Sequence, residues 1–201
     1  MHPITIIGSG LAGYTLAKEI RKLDKTVALK IITADDGSFY SKPMLSNALT
    51  KNLSAEKLVI QTASDMATQL NAEIITDTTI TRINPRHCTL ETNDTHHSYS
   101  KLILANGAQA IRIPVAGNAA PAILSVNSLR DYAMFRAQLL NKKHITIIGA
   151  GLIGCEFAND LANAGHHVSL IDLAVQPLGR LLPPQAAQIL QNQLKIGRAH
   201  V

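Results

Sequence analysis

ITIIGSGLAG at residues 4–13 returns as ITIIGAGLIG at residues 145–154, 141 residues further along the chain. In the first copy, residues 4–7 form a short β-branched apolar run, the pattern of a buried parallel strand. Gly8, Gly10 and Gly13 follow in G-x-G-x-x-G spacing, and Leu16, Ala17, Ile20 and Leu23 then recur at helical intervals. Strand, glycine turn and helix are the context in which this spacing signals a bound dinucleotide. Gly8 permits the tight turn, Gly10 lets backbone approach a pyrophosphate, and Gly13 lets the helix pack close to the strand. The helix N-terminus offers free N–H groups to the phosphates. The second copy repeats the series with residues 145–148, then Gly149, Gly151 and Gly154, then Phe157, Ala158 and Leu161.

A single match of this kind is weak, because a glycine-rich turn can join a strand to a helix and bind nothing. Two matches in the same context are far stronger. Each is also followed by a second strand that ends near an acid. Asp35 lies 22 residues after Gly13, and Asp172 lies 18 residues after Gly154. An acid at about that distance can hydrogen-bond a ribose 2′-hydroxyl. Two Rossmann-like α/β units in one chain predict two nucleotide cofactors.

Composition narrows the class. The 201 residues are 46% hydrophobic and only 3% aromatic, with no Trp, so Ile, Leu, Val and Ala must fill the core. No apolar run approaches the length of a membrane span, and the first strand begins at once, so a cytoplasmic protein is expected. The formal net charge is +5, but Lys and Arg are scattered, with no run longer than Lys142-Lys143. That argues against nucleic acid and leaves a basic face for an acidic protein open. Cys88 and Cys155 form no short pair, so neither a redox dithiol nor a metal site is visible, and both are expected to be buried, inert thiols. The adjacent pairs His96-His97 and His166-His167 lack ligand spacing and are expected at the surface.

Between the two copies, residues 55–70 have the polarity of one helix. Residues 72–85 alternate as a strand pair or one long strand. A hairpin is expected to turn at Asn93-Asp94, followed by an apolar strand at residues 102–104 and a linker around Pro114. A helix near residues 129–140 leads into the second fingerprint. The expected division is residues 1–113 and 114–195.

At this level of detail the chain resembles the two-dinucleotide flavoprotein reductases. The segment LILANGA at residues 102–108 and the motif FYSKPMLS at residues 39–46 carry the likeness, together with GAGLIGCEFANDL. Disulfide-reducing members of that family keep a redox cysteine near the second of these segments. This chain has no cysteine between Gly13 and Cys88. Tyr40, Lys42, Pro43, Leu45 and Ser46 instead resemble the Y-x-[KR]-P-x-L-S pattern of ferredoxin and rubredoxin reductases. The resemblance implies a glutathione-reductase-like fold of two dinucleotide-binding units, with FAD on residues 1–113 and NAD on residues 114–195. Gly8, Ser9, Gly10, Leu11 and Gly13 would hold the FAD pyrophosphate, and Asp35 its adenosine ribose. Lys42 would lie against the flavin. Ile80 would contact adenine through its backbone. Ala105 and Gly107 match the family's A-T-G-A turn, with Asn106 in place of Thr. Gly149, Gly151, Gly154 and Asp172 would hold NAD, and Glu156 would stand near the junction of flavin and nicotinamide.

The resemblance further implies an electron relay with no catalytic side chain of its own. Hydride passes from NADH to flavin, and electrons leave singly to a small acidic iron or iron–sulfur carrier, rubredoxin first and ferredoxin as the alternative. A non-catalytic, apoptosis-inducing-factor-like binding protein is the reading from another class. NADH is expected over NADPH, because Asp172 would repel a 2′-phosphate and no Arg lies between His166 and Gly179. The family runs to nearly twice this length, so the chain is expected to be a C-terminally truncated form, binding FAD weakly or not at all and inactive alone. Its end at residues 196–201, Ile-Gly-Arg-Ala-His-Val, matches the translation of a common sequencing adapter and is expected to be a non-native tail.

Overall fold

The computed structural model describes residues 2–196 and 199–200. In chain order the elements are β1 (Ile4–Ile7), α1 (Leu11–Leu23), β2 (Leu29–Ile32), β3 (Phe39–Tyr40), a 3-10 turn (Lys42–Ser46), α2 (Ala55–Leu58), β4 (Val59–Gln61), α3 (Ala63–Leu70), β5 (Glu73–Ile75), β6 (Arg82–Asn84), β7 (Thr89–Glu91), β8 (His96–Ser98), β9 (Lys101–Leu104), a 3-10 turn (Ala120–Ala122), α4 (Leu129–Leu139), β10 (His144–Ile148), α5 (Leu152–Asn163), β11 (His167–Ile171), α6 (Pro184–Ile196) and β12 (Ala199–His200). They gather into two units. The first comprises Met1–Ser41 and Val59–Arg112, the second Lys42–Leu58 and Ile113–Val201.

In the first unit four strands lie in the order β5-β2-β1-β9, all parallel. Alternation along the strands sends Ile6 and Ile31 to one face. There they join Tyr14 and Ala17 of α1 and Met66 and Leu70 of α3. Ile32 and Ile7 point to the other face, against Leu90 and Tyr99 of the β6-β7-β8 meander. Both faces of this sheet are therefore covered, which is why its strands read as unbroken apolar runs.

In the second unit the strands lie in the order β10-β11-β12. Among the described residues only one face is packed. Val168 and Leu170 are buried, and Ile147 lies against Gly154 of α5. The other face presents the cross-strand pairs His144–His167, Thr146–Ser169 and Ile148–Ile171, all exposed. Of the tail expected over residues 196–201, Gly197, Arg198 and Val201 lie outside the described residues.

The hairpin pairs Glu91 with His96 around the expected turn, and α4 is capped by Ser128, whose hydroxyl accepts the Asp131 N–H at 3.1 Å. Two expectations fail. Residues 55–70 are not one helix: the chain breaks into β4 at Val59 and Ile60, whose β-branched side chains favour a strand, and restarts at Thr62. Thr62 and Asp65 form a reciprocal capping box there, which fixes a new helix start. Cys88 is exposed rather than buried. It sits at φ +52 in the turn between β6 and β7, a left-handed position that turns its side chain away from the meander's core.

Candidate nucleotide-binding sites

The two fingerprint turns have nearly the same backbone. Gly8 has φ +106 and Gly149 φ +107, and Gly10 and Gly151 are the N-caps of α1 and α5 in extended conformation. Gly8 N–H donates to Ile32 O and Gly149 N–H to Ile171 O, each at 2.8 Å. A Cβ on Gly13 would lie 2.0 Å from Gly8 O, and one on Gly154 1.9 Å from Gly149 O, so helix and strand approach as closely as glycine alone permits. A Cβ on Gly10 or Gly151 would meet no protein atom within 4 Å. Those two positions face open space at a helix N-terminus, which fits a pyrophosphate. Leu11 and Leu152, the first helical residues, are exposed beside them.

The acids are reached differently in the two units. Strand register pairs Ile7 with Ile32 and Ile148 with Ile171. The residue after the second strand is therefore Thr33 in the first unit and Asp172 in the second. Asp35 comes two residues later, and its Oδ1 accepts hydrogen bonds from Ser9 Oγ at 2.9 Å, Thr33 Oγ1 at 2.6 Å and Gly37 N–H at 3.1 Å. Gly37 is buried at φ +70, and its carbonyl accepts the Tyr14 hydroxyl at 2.5 Å. Burial first, then the charges of Asp35 and Asp36, push the Tyr14 hydroxyl up to about 12. Asp172 is bound by backbone instead. Its Oδ1 accepts Ala174 N–H at 2.8 Å and its Oδ2 accepts Ala150 N–H at 2.6 Å. These bonds, Ala174's first, hold its carboxyl below the usual aspartate range.

Ala105 N–H donates to Ile7 O at 2.8 Å, and its carbonyl oxygen lies 2.3 Å from where a Gly8 Cβ would stand. The 105–108 turn thus abuts the first fingerprint, with Gly107 exposed at φ +70. The Ile80 side chain packs on the cluster of Ile32, Leu90 and Tyr99. Beside the second fingerprint a cleft of about 490 Å³ is lined by Gly149, Gly151, Asp172, Gln176 and Arg180. Arg180 lies one residue beyond the Arg-free stretch from His166 to Gly179.

Lys42 is exposed and opens a segment that packs with the second unit. Helix α5 holds that segment at two successive turns. Glu156 Oε2 accepts the Ser46 hydroxyl at 2.5 Å. Buried Asp160 accepts Leu49 N–H at 2.8 Å, Thr50 N–H at 2.9 Å and the Thr50 hydroxyl at 2.6 Å. Helix α4 adds the Tyr132 hydroxyl at 3.0 Å and the Arg136 guanidinium, both donating to Leu53 O. Asp160 carried no sequence signal beyond its i,i+4 spacing from Glu156. The Cys155 thiol is buried and pushed up, by burial first and by the charge of Asp172 second, which disfavours the reactive thiolate. Among the described residues no helix is long and apolar enough to cross a membrane.

Over 206 aligned positions the chain is 49% identical to the rubredoxin-NAD(+) reductase of Acinetobacter baylyi, covering all of this chain and 52% of that protein. The structure resembles putidaredoxin reductase in its covalent complex with putidaredoxin, with TM-score 0.88 and 26% identity over 99% of this chain and 49% of that one. It resembles the NADH:rubredoxin oxidoreductase of Clostridium acetobutylicum with TM-score 0.85 and 27% identity, over 98% of this chain and 52% of that one. The chain spans about half the length of the curated relatives it matches. The family model for pyridine nucleotide-disulphide oxidoreductases matches residues 2–196, and the chain belongs to that family.

Proposed function

We propose that this chain supplies the FAD- and NADH-binding units of a flavoprotein reductase that passes electrons from NADH to a small one-electron iron carrier, rubredoxin before ferredoxin, in the cytoplasm. The observation that carries the reading is the pair of matching glycine turns, each with an open Gly10 or Gly151 at a helix N-terminus and an acid tied back to it. The names of the relatives support rubredoxin as the acceptor, and the scarcity of cysteine argues against an internal dithiol.

In this reading FAD would lie on Gly8, Ser9, Gly10, Leu11 and Gly13, with Asp35 on its adenosine ribose, the 105–108 turn beside it and backbone at Ile80 near adenine. NADH would lie on Gly149, Gly151 and Gly154, with Asp172 accepting from its ribose hydroxyls. Bound flavin supplies the exchange between two-electron and one-electron chemistry. The chain's own residues bind and orient. The helix N-termini neutralise pyrophosphate, the acids select ribose, and Lys42 and Glu156 supply fixed charges. Positioning of this kind is worth most when reacting atoms are held within about 3.5 Å.

The test is anaerobic mixing of NADH with rubredoxin or a ferredoxin and FAD-loaded protein that carries this sequence at the full length of its relatives. Rubredoxin reduction faster than ferredoxin reduction is expected. Ferredoxin reduced faster would move the acceptor to the alternative. FAD and NADH binding without reduction of any carrier would favour a binding protein over an enzyme.

A further inference from the structure

Asn106-Gly107 is the one Asn-Gly step in the chain, and Asp36-Gly37 is the one Asp-Gly step. In each, the side-chain carbonyl is followed by a glycine nitrogen with no Cβ beside it, so backbone can turn in to reach it. Both glycines take φ +70. Their surroundings differ. Gly37 is buried. Its N–H donates to Asp35 Oδ1 at 3.1 Å, and its carbonyl accepts the Tyr14 hydroxyl at 2.5 Å. A Cβ there would lie 2.9 Å from Ala63 Cβ and 3.0 Å from Thr76 Cγ2. Asn106 and Gly107 are exposed. Among the described residues the Gly107 N–H is in no backbone hydrogen bond, and a Cβ on Gly107 would meet nothing within 4 Å. At one step the glycine nitrogen is held and enclosed, and at the other it has room to move.

We propose that Asn106 is a site of spontaneous deamidation, and that the fold exempts Asp36-Gly37 from the same ring closure. The Gly107 nitrogen attacks Asn106 Cγ. A C–N bond forms, the bond from Cγ to the side-chain nitrogen breaks, and ammonia leaves with the proton of the Gly107 N–H. The succinimide then takes up water at either of its carbonyls, which gives aspartate or isoaspartate. No electron is exchanged, and water is the one co-reactant. Both products add a negative charge to the 105–108 turn, and isoaspartate also adds a carbon to its backbone. That turn abuts the first fingerprint. Asn106 Cα lies 3.0 Å from where a Gly8 Cβ would stand, and Ala105 N–H donates to Ile7 O at 2.8 Å. The new charge therefore arises beside the glycine turn that leads into the positive end of α1. The chemistry needs no bound cofactor, so it stands apart from the reading of that turn as an FAD site.

The purified chain, aged in mildly alkaline buffer, should show the conversion by tryptic mass spectrometry and by labelling with an isoaspartyl methyltransferase. Asn106 should convert at least about tenfold faster than every other asparagine, and Gly107→Ala should slow it by about tenfold. Ion exchange should separate the converted chain as the more acidic form. Asp36→Asn is the control for the fold. It places a second Asn-Gly step at the enclosed position and keeps an oxygen for the Ser38 N–H, which Asp36 Oδ1 accepts at 3.0 Å. In the folded variant residue 36 should convert at least about tenfold more slowly than Asn106, and in urea the two rates should come together. An Asn106 that stays intact would overturn the proposal. So would equal conversion at 36 and 106 in the folded variant, or a difference between them that persists in urea.

Discussion

Ten residues written almost identically at 4–13 and 145–154 fold into turns whose first glycines differ by one degree in φ, yet they serve two differently built sheets. The first strand of the first unit lies between β2 and β9, packed on both faces. Its counterpart β10 pairs with β11 and is packed on one face, and Ile148 and Ile171 are 43% and 57% exposed. The glycine that opens each turn registers the difference. A Cβ on Gly8 would strike Ala105 at the end of β9, whereas one on Gly149 would strike nothing. Local sequence dictates the turn, but what surrounds the turn comes from strands contributed by distant residues.

Substitutions at the glycines test that separation most strongly. Gly13→Ala and Gly154→Ala should cost about 3–5 kcal/mol each, because both place Cβ inside van der Waals contact with a carbonyl oxygen of the same turn. Urea unfolding followed by circular dichroism should give similar losses for the two, and a mild effect at either would mean that its helix can back away. Gly149→Ala should cost about 1–3 kcal/mol from its positive φ alone. Gly8→Ala carries the same strain plus the overlap with Ala105, and should cost about 2 kcal/mol more. Equal losses at Gly8 and Gly149 would break the comparison.

Asp160→Ala should cost about 2–4 kcal/mol by leaving the Leu49 and Thr50 N–H groups without their acceptor. Trypsin should then cut faster after Lys51 and Lys57, a readout confined to the segment that α5 holds. Unchanged cleavage would show that Tyr132 and Arg136 hold the segment without Asp160.

The smallest effect is a pH effect in the first unit. Tyr14 is raised from 10.0 to about 12. A raised group contributes stability that is present below its unfolded value and lost as pH climbs through the folded one. The first unit should therefore weaken between pH 10 and 12. Tyr14→Phe removes the ionising group and should flatten that limb, at a cost of about 1 kcal/mol near neutrality from the lost bond to Gly37. Absorbance titration of the phenols should show a phase near 12 that Tyr14→Phe removes. A titration with no such phase would contradict the burial of Tyr14.

Much of this was legible in the residues. The β-branched runs, the glycine spacing and the helical periodicity identify both units, and Asn93-Asp94 marks the hairpin. Other features escaped because they depend on pairing at a distance. Counting residues from each fingerprint makes Asp35 and Asp172 look equivalent, but strand register makes Thr33 the counterpart of Asp172, and Asp35 reaches the fingerprint through Ser9 and Thr33. The polar stretch 55–70 reads as one helix until β4 finds its antiparallel partner β3. Cys88 follows an apolar pattern but occupies a left-handed turn that faces water.

The sequence by itself determined the two turns and the helices that follow them, because glycine sterics and apolar periodicity act over a few residues. Only the tertiary structure decided that one sheet is covered on both faces and the other on one, and that residues 42–58 pack with the second unit. It also brought Arg180 into the cleft with Asp172. Those outcomes depend on which distant strands pair and which charged side chains then share a cleft, and no short window of sequence contains both members of such a pair.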